Sequence, residues 1–249
     1  MSEGRELAWL DAEGRLEFVP AESRGGQLEL RRSEPYLDAL ERATSFVKGG
    51  FVDVGGEGSY SLNVPGFGAC RFAYHVMDWR ESGDNVWNVR LELFDGDYLV
   101  AEFVMRKTTN GLCELYHREV VDEFLRGYGL GTFMFDVCEM IAVLESEGAV
   151  GHVFCDLEPE LFDDWGGGDR DAVQADVLCV LLNRGYSPVD KVSQEVVARV
   201  LNRDRVEPGV DDKGSPLFFL KGSRADFRCA LGKVLDFSSG GGEEEGTLV

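Results

Sequence analysis

From residue 70 to residue 121 the chain carries four strand-like apolar runs, at 70–77, 86–94, 98–107 and 112–121. Residues 86–94 alternate with a period of two, setting Val89, Leu91 and Leu93 against Arg90 and Glu92. Such alternation puts one face of a strand on a core and the other toward water. Asp95-Gly96-Asp97 and residues 108–111 are short and turn-rich, so the four runs are predicted to form an antiparallel meander. After residue 131 the period changes. Phe133, Val137, Met140, Ile141 and Leu144 recur at three- and four-residue steps, the stripe of an amphipathic helix. The apolar run 150–157 is then a strand, and a helical crossover makes it parallel to the strand at 112–121.

The flanks carry weaker patterns. Residues 7–10 and 27–30 read as short strands, and residues 60–64 as another. Residues 34–47 read as a helix, with Ser33 as cap, Pro35 in the first turn and Leu37, Leu40, Ala43 and Val47 as its stripe; Gly49-Gly50 ends it. Beyond residue 157 comes an acidic, glycine-rich loop at 158–171, with Trp165 beside Asp163 and Asp164. A strongly apolar helix at 172–182 follows, stopped by Arg184-Gly185. Then come extended chain at 186–189, a helix at 192–202, a strand at 216–221 and a last helix at 224–235. Residues 238–249 are rich in Gly and Glu and lack an apolar anchor except Leu248-Val249, so a disordered acidic tail is expected.

Chemistry concentrates where the period changes. Arg126-Gly127-Tyr128-Gly129-Leu130-Gly131 lies between a strand and a helix, and Thr132 follows directly. Glycine allows close backbone approach to a ligand. A helix start offers unpaired N–H groups and a partial positive charge, a cradle for phosphate oxygens. Arg126 adds a fixed charge, and Thr132 can cap the helix or donate to an oxygen. A nucleotide-binding P-loop needs Lys-Ser/Thr after its last glycine, and Thr132-Phe133 is not that. A dinucleotide fingerprint belongs at the first turn of a βαβ unit, whereas several strands precede this run.

The run Arg126–Gly131 resembles the Arg/Gln-x-x-Gly-x-Gly/Ala pyrophosphate loop of the GNAT superfamily of N-acetyltransferases at every fixed position. The order of elements over residues 70–222 is similar to that family's too. The resemblance implies an α+β fold: a mostly antiparallel central sheet, splayed at a parallel strand pair, with helices on both faces. It implies that Arg126, Gly127, Tyr128, Gly129, Leu130, Gly131 and Thr132 hold the pyrophosphate of acetyl-CoA or another acyl-CoA. Backbone near Glu119, Val120 and Val121 would face the pantetheine arm, in a wedge between the strands at 112–121 and 150–157. A second family motif falls on Gln174, Val177, Leu181, Gly185 and Tyr186. Gln174 would then contact the cofactor. Leu181 stands where the family usually has a tyrosine that protonates the leaving thiolate, which makes a module that only binds acyl-CoA a rival to an enzyme.

The implied reaction is direct attack of a primary amine on a thioester. An amine of pKa near 10 is only about one part in a thousand neutral at pH 7, a cost of roughly 4 kcal/mol, so a proton acceptor is wanted. Glu114, His117 and Glu119 on the strand at 112–121 are the candidates, with Glu114 and Glu119 the leading pair. The acceptor is a small molecule or a protein. The acidic loop at 158–171, on the side where acceptors enter in this family, suits a cation, with Trp165 available for a cation–π contact.

Composition narrows the partners. The 249 residues divide into 25 basic and 46 acidic, a net charge of −21. Nucleic-acid binding draws affinity from phosphate neutralisation, so it is excluded as a reading. No apolar run reaches the roughly 18 residues of a membrane span, and residues 1–15 lack a basic-then-apolar leader pattern, so a cytoplasmic location is expected. The six cysteines are scattered without a CxxC and read as small buried hydrophobes. Cys113 and His117 share a face of a regular strand, but His152 and Cys155 point oppositely, so no metal is expected. The chain is read as one folded body, with residues 1–69 as an N-terminal segment of the same domain, 70–237 as the acyltransferase-like core and 238–249 as the tail.

Overall fold

The computed structural model describes residues 7–10, 16–19, 31, 33–78, 85–109, 111–121, 129–146, 150–157, 181–182, 184–201, 206–210, 216–220, 226–227 and 229–236. In chain order the elements are β1 (Leu7–Leu10), β2 (Leu16–Val19), α1 (Glu34–Ala43), β3 (Val47–Lys48), β4 (Phe51–Val52), β5 (Glu57–Val64) and β6 (Gly68–Met77). These are followed by β7 (Asn85–Asp95), β8 (Tyr98–Thr108), β9 (Cys113–Val120), α2 (Leu130–Leu144), β10 (Val150–Leu157) and β11 (Ser187–Pro188). The last are α3 (Lys191–Leu201), β12 (Val206–Val210), β13 (Pro216–Leu220), β14 (Asp226–Phe227) and β15 (Cys229–Asp236). The fold is mixed α+β, its sheets mostly antiparallel. It divides into two compact units, with the boundaries inside β10 and β15.

The first unit holds β3 to β9, α1, α2 and the start of β10. Its strands β5 to β9 form the predicted antiparallel meander, and β10 joins β9 in parallel through Val153↔Cys113 and Phe154↔Glu114. One face of the meander is apolar. Phe72, Leu91, Leu93, Phe103 and Met105 are fully buried on it. Both helices of the unit pack there: Phe135 of α2 meets Phe103 edge-on, Phe133 meets Tyr36 of α1, and Phe46 beyond α1 stacks on Tyr74. The opposite face is polar and half-exposed, carrying Arg90, Glu92, Glu102 and Arg106.

Several expectations are corrected. α1 stops at Ala43, and residues 47–52 form a two-residue hairpin in which Val47 pairs with Val52. Gly49 (φ 59°) and Gly50 (φ 87°) are its turn rather than a helix stop, because a hairpin turn of this type needs positive φ at both central residues. The buried stripe of α1 is Tyr36, Ala39, Leu40 and Ala43; Leu37 is 51% exposed. α2 is not a single-stripe helix. Phe133 to Glu139 are all buried, since the helix is covered by the sheet and by α1, while Met140 and Leu144 are only half-buried. The strand at 60–64 begins earlier, at Glu57.

The second unit holds β1, β2, β11, α3, β12 to β14 and most of β15. β1 pairs with β2, and β12, β13 and β14 make a small antiparallel sheet. The predicted helix at 224–235 is instead β14 and β15. Helix-favouring Ala230 and Leu231 sit in a run buried at three consecutive positions, Cys229 to Leu231, the mark of a strand covered on both faces; pairing with β11 overrides propensity. Residues 27–30, the acidic loop at 158–171, residues 172–180 and residues 238–249 lie outside the described residues.

Candidate functional site

β9 carries the proton-transfer candidates, and its register decides where they point. Ala101↔Val120, Glu102↔Glu119, Phe103↔Arg118 and Val104↔His117 run in step, but the next pair is Met105↔Leu115. Tyr116 is therefore an extra residue, a β-bulge, and it inverts the facing of everything before it. In a regular strand Glu114 would oppose His117 and Glu119. With the bulge all three share the polar face, opposite Arg106, Val104 and Glu102 respectively. Cys113 falls on the helix-covered face and is buried, so it does not share a face with His117 as expected for a regular strand. Among the described residues no group of three or more His, Cys, Asp or Glu side chains is placed to hold a metal.

The three candidates sit in different surroundings. Glu114 is buried, and its Oε2 accepts a hydrogen bond from Arg106 Nε at 2.6 Å. The same guanidinium lies 5.0 Å from the Tyr116 ring centre. Glu119 is 40% exposed, and its Oε2 lies 3.6 Å from His117 Nε2, within ion-pair reach but beyond a hydrogen bond. Glu92, Glu102 and Glu119 are direct cross-strand neighbours on three adjacent strands. Arg90 Nε, 3.6 Å from Glu102 Oε1, offsets part of that like-charge crowding.

The backbone of β9 corrects a second expectation. Val121 N–H donates to Val100 O at 3.1 Å, so it is not open to a ligand. Antiparallel pairs alternate in the direction of their amides, so Glu119, two residues back, also points toward β8. The amides on the other side of the strand are those of Arg118 and Val120. Val120 is thus the one position of the expected three whose N–H faces away from β8.

Val120 also marks where α2 begins. Gly129 is the N-cap of α2, with φ 83° and ψ 0°, in the left-handed region that disfavours any side chain. A Cβ built on Gly129 meets nothing within 4 Å, whereas one on Gly131 reaches 3.6 Å from Val120 Cγ2. Phe133 N–H makes the first intrahelical bond, to Gly129 O at 2.9 Å. The amides of Leu130, Gly131 and Thr132 thus precede the helical ladder. Thr132 lies inside the first turn and is not the cap; the turn carries no acidic side chain and no side-chain cap bond. Arg126, Gly127, Tyr128 and Gln174 lie outside the described residues.

The other end of α2 holds a group that the sequence reading missed. Glu145, the C-cap, is buried with its carboxylate accepting from the Val52 amide, from Trp87 Nε1 at 3.4 Å and from Lys107 Nζ at 2.8 Å. Midway along α2, buried Asp136 accepts from Tyr36 Oη at 2.6 Å and twice from Arg31, at 2.8 and 2.5 Å. The available signal was a carboxylate set among apolar residues, as Asp136 is between Phe135 and Val137, which must find a partner to be buried. Burial also pushes the Cys113 thiol up to about 12, with Lys107 opposing and Glu145 reinforcing the shift.

Leu181 is fully buried. It sits at the end of a helical segment closed by two bonds, Tyr186 N–H to Leu181 O at 3.1 Å and Gly185 N–H to Leu182 O at 3.0 Å. That is the Schellman pattern, with Tyr186 buried alongside. Its side chain is core. Among the described residues, no helix is long and apolar enough to cross a membrane. Compared with protein-family models and with curated proteins, the chain matches none.

Proposed function

We propose that this chain is a GNAT-like N-acyltransferase that moves an acetyl or other acyl group from CoA to a primary amine by direct attack. The observation that carries the reading is the start of α2. A left-handed glycine with open space where its side chain would be, amides ahead of the helical ladder and Gly131 against Val120 of β9 suit a pyrophosphate. The parallel β9–β10 pair with α2 as its crossover agrees with the family order, and past Glu114 the described partner of β9 is β8 alone. In this reading Leu130, Gly131 and Thr132 bind the phosphates through their backbone. Arg126, Gly127, Tyr128 and Gln174 join them by resemblance. The pantetheine arm runs along the Val120 amide, and a cytoplasmic amine, small or on a protein, is the acceptor.

Burial of Leu181 favours one alternative, a module that binds acyl-CoA without turning it over, because that position supplies no acid. Native mass spectrometry of the purified protein is the first test. A bound mass of CoA or acetyl-CoA is expected, and a bound nucleotide in its place would overturn both readings. Turnover with a panel of amines then separates enzyme from module.

A further inference from the structure

The Tyr116 bulge gathers Glu114, His117 and Glu119 on one face, and there they are not equivalent. Glu114 is buried and held by Arg106 at 2.6 Å, so the carboxylate already accepts a charge-assisted bond. Glu119 stands in a row of three cross-strand glutamates. His117 is 44% exposed, and its Nε2 is turned toward Glu119 Oε2 at 3.6 Å. With the ring hydrogen on Nε2, on the Glu119 side, Nδ1 is the nitrogen that can accept an incoming proton. The charged groups around the imidazole are Glu114 and Glu119 on its own strand, Glu102 and Arg106 flanking Val104 on β8, and Arg90 opposite Val104 on β7.

We infer that His117 takes the proton from the acceptor amine and that Glu119 is its positioning residue, an assignment that rests on the acyltransferase reading above. The ammonium group gives one proton to Nδ1, and the freed nitrogen lone pair attacks the thioester carbonyl carbon. The C–S bond then breaks, its electron pair leaves on sulfur, and the second nitrogen proton passes to the thiolate through water. Glu119 offsets the charge the ring gains. Imidazolium returns its proton to solvent.

The test uses acetyl-CoA with two small nucleophiles near neutral pH: ethylamine, which is largely protonated there, and methoxyamine, which is not. His117→Gln is expected to lower kcat with ethylamine by about a hundredfold or more, the usual contribution of a general base. The loss with methoxyamine is at least about tenfold smaller, because that nucleophile has no proton to give up first. The ethylamine deficit narrows as pH rises and free amine accumulates. Calorimetric affinity for acetyl-CoA stays at the wild-type value. Glu119→Gln shows the same nucleophile dependence at smaller size. Equal losses with both nucleophiles, or wild-type ethylamine turnover by His117→Gln, would overturn the assignment. Wild-type protein that binds acetyl-CoA but transfers to neither amine overturns it as well. Failure of the wild type to bind acetyl-CoA overturns the acyltransferase reading itself.

Discussion

Two helices in this protein begin in opposite ways. α3 starts at Asp190, whose carboxylate accepts the Ser193 amide at 2.7 Å while its carbonyl accepts the Gln194 amide at 3.1 Å. α2 starts at Gly129, with no side chain to cap anything and no acidic residue in its first turn. A side-chain cap is worth about 1 kcal/mol, so an uncapped start gives up stability. What such a start keeps, among the described residues, is backbone donors ahead of the helical ladder and a partial positive charge. The contrast teaches that a described side chain closes the start of α3 and none closes the start of α2, as the proposed phosphate site requires. The far end of α2 supports the same view. Glu145 ties that end to β4, β7 and β8 at once, so the open start is carried on a firmly held helix.

The largest expected effect comes from breaking that anchor. Glu145→Ala strands Lys107 and the Trp87 indole without their acceptor, and removing one partner of a buried pair costs about 3–5 kcal/mol. Urea denaturation should show it, with Glu145→Gln falling between the variant and wild type. Next is Leu181→Tyr, which adds a ring and a hydroxyl to a fully buried position and should cost about 1–3 kcal/mol by overpacking. A stable variant with raised turnover would mean that this residue lines the site.

The two helix starts can be compared directly. Asp190→Ala should cost about 1 kcal/mol, and Thr132→Ala less than about 0.5 kcal/mol, since Gly129, not Thr132, is the N-cap of α2 and no side-chain cap bond closes its start. Equal losses would erase the difference between them. The smallest effect concerns Cys113. Its folded thiol is raised to about 12 from the ordinary value of 9.0, chiefly by burial. The neutral thiol is therefore favoured in the folded state. Its contribution to stability is complete below pH 9 and declines as pH rises toward 12. Thiol-reagent kinetics near pH 8 should find Cys113 protected in native protein and reactive in urea.

The meander was legible because β7 writes a period of two into the sequence and short turn-rich links join the strand-like runs. The parallel placement of β10 followed from the helical crossover. The Tyr116 bulge was not legible, because Cys113 to Val120 reads equally well as regular strand, and one extra residue reverses half of it. β15 was misread for a related reason: Ala230, Leu231 and Lys233 are good helix formers, and only strand pairing reveals the strand. At the site, the glycine start of α2 was readable from Gly129 and Gly131. The donors of Glu145 come from three separate strands, a long-range coincidence that no local pattern records.

The central claim is that the open start of α2 binds the pyrophosphate of a CoA thioester, and Gly129→Val tests it most directly. Valine in the left-handed region costs about 1–2 kcal/mol, small beside a folding stability of about 5–15 kcal/mol. Its side chain would enter the open space above the glycine, where the proposed pyrophosphate would lie. Two charge-assisted bonds lost, at about 1.5–3 kcal/mol each, correspond to a fall in affinity of about two to four orders of magnitude. Calorimetric titration with acetyl-CoA, set beside the denaturation midpoint of the same samples, should show wild type binding and the folded variant failing to bind. A folded Gly129→Val protein that bound acetyl-CoA as tightly as wild type would contradict the account and reduce the glycine run to a turn.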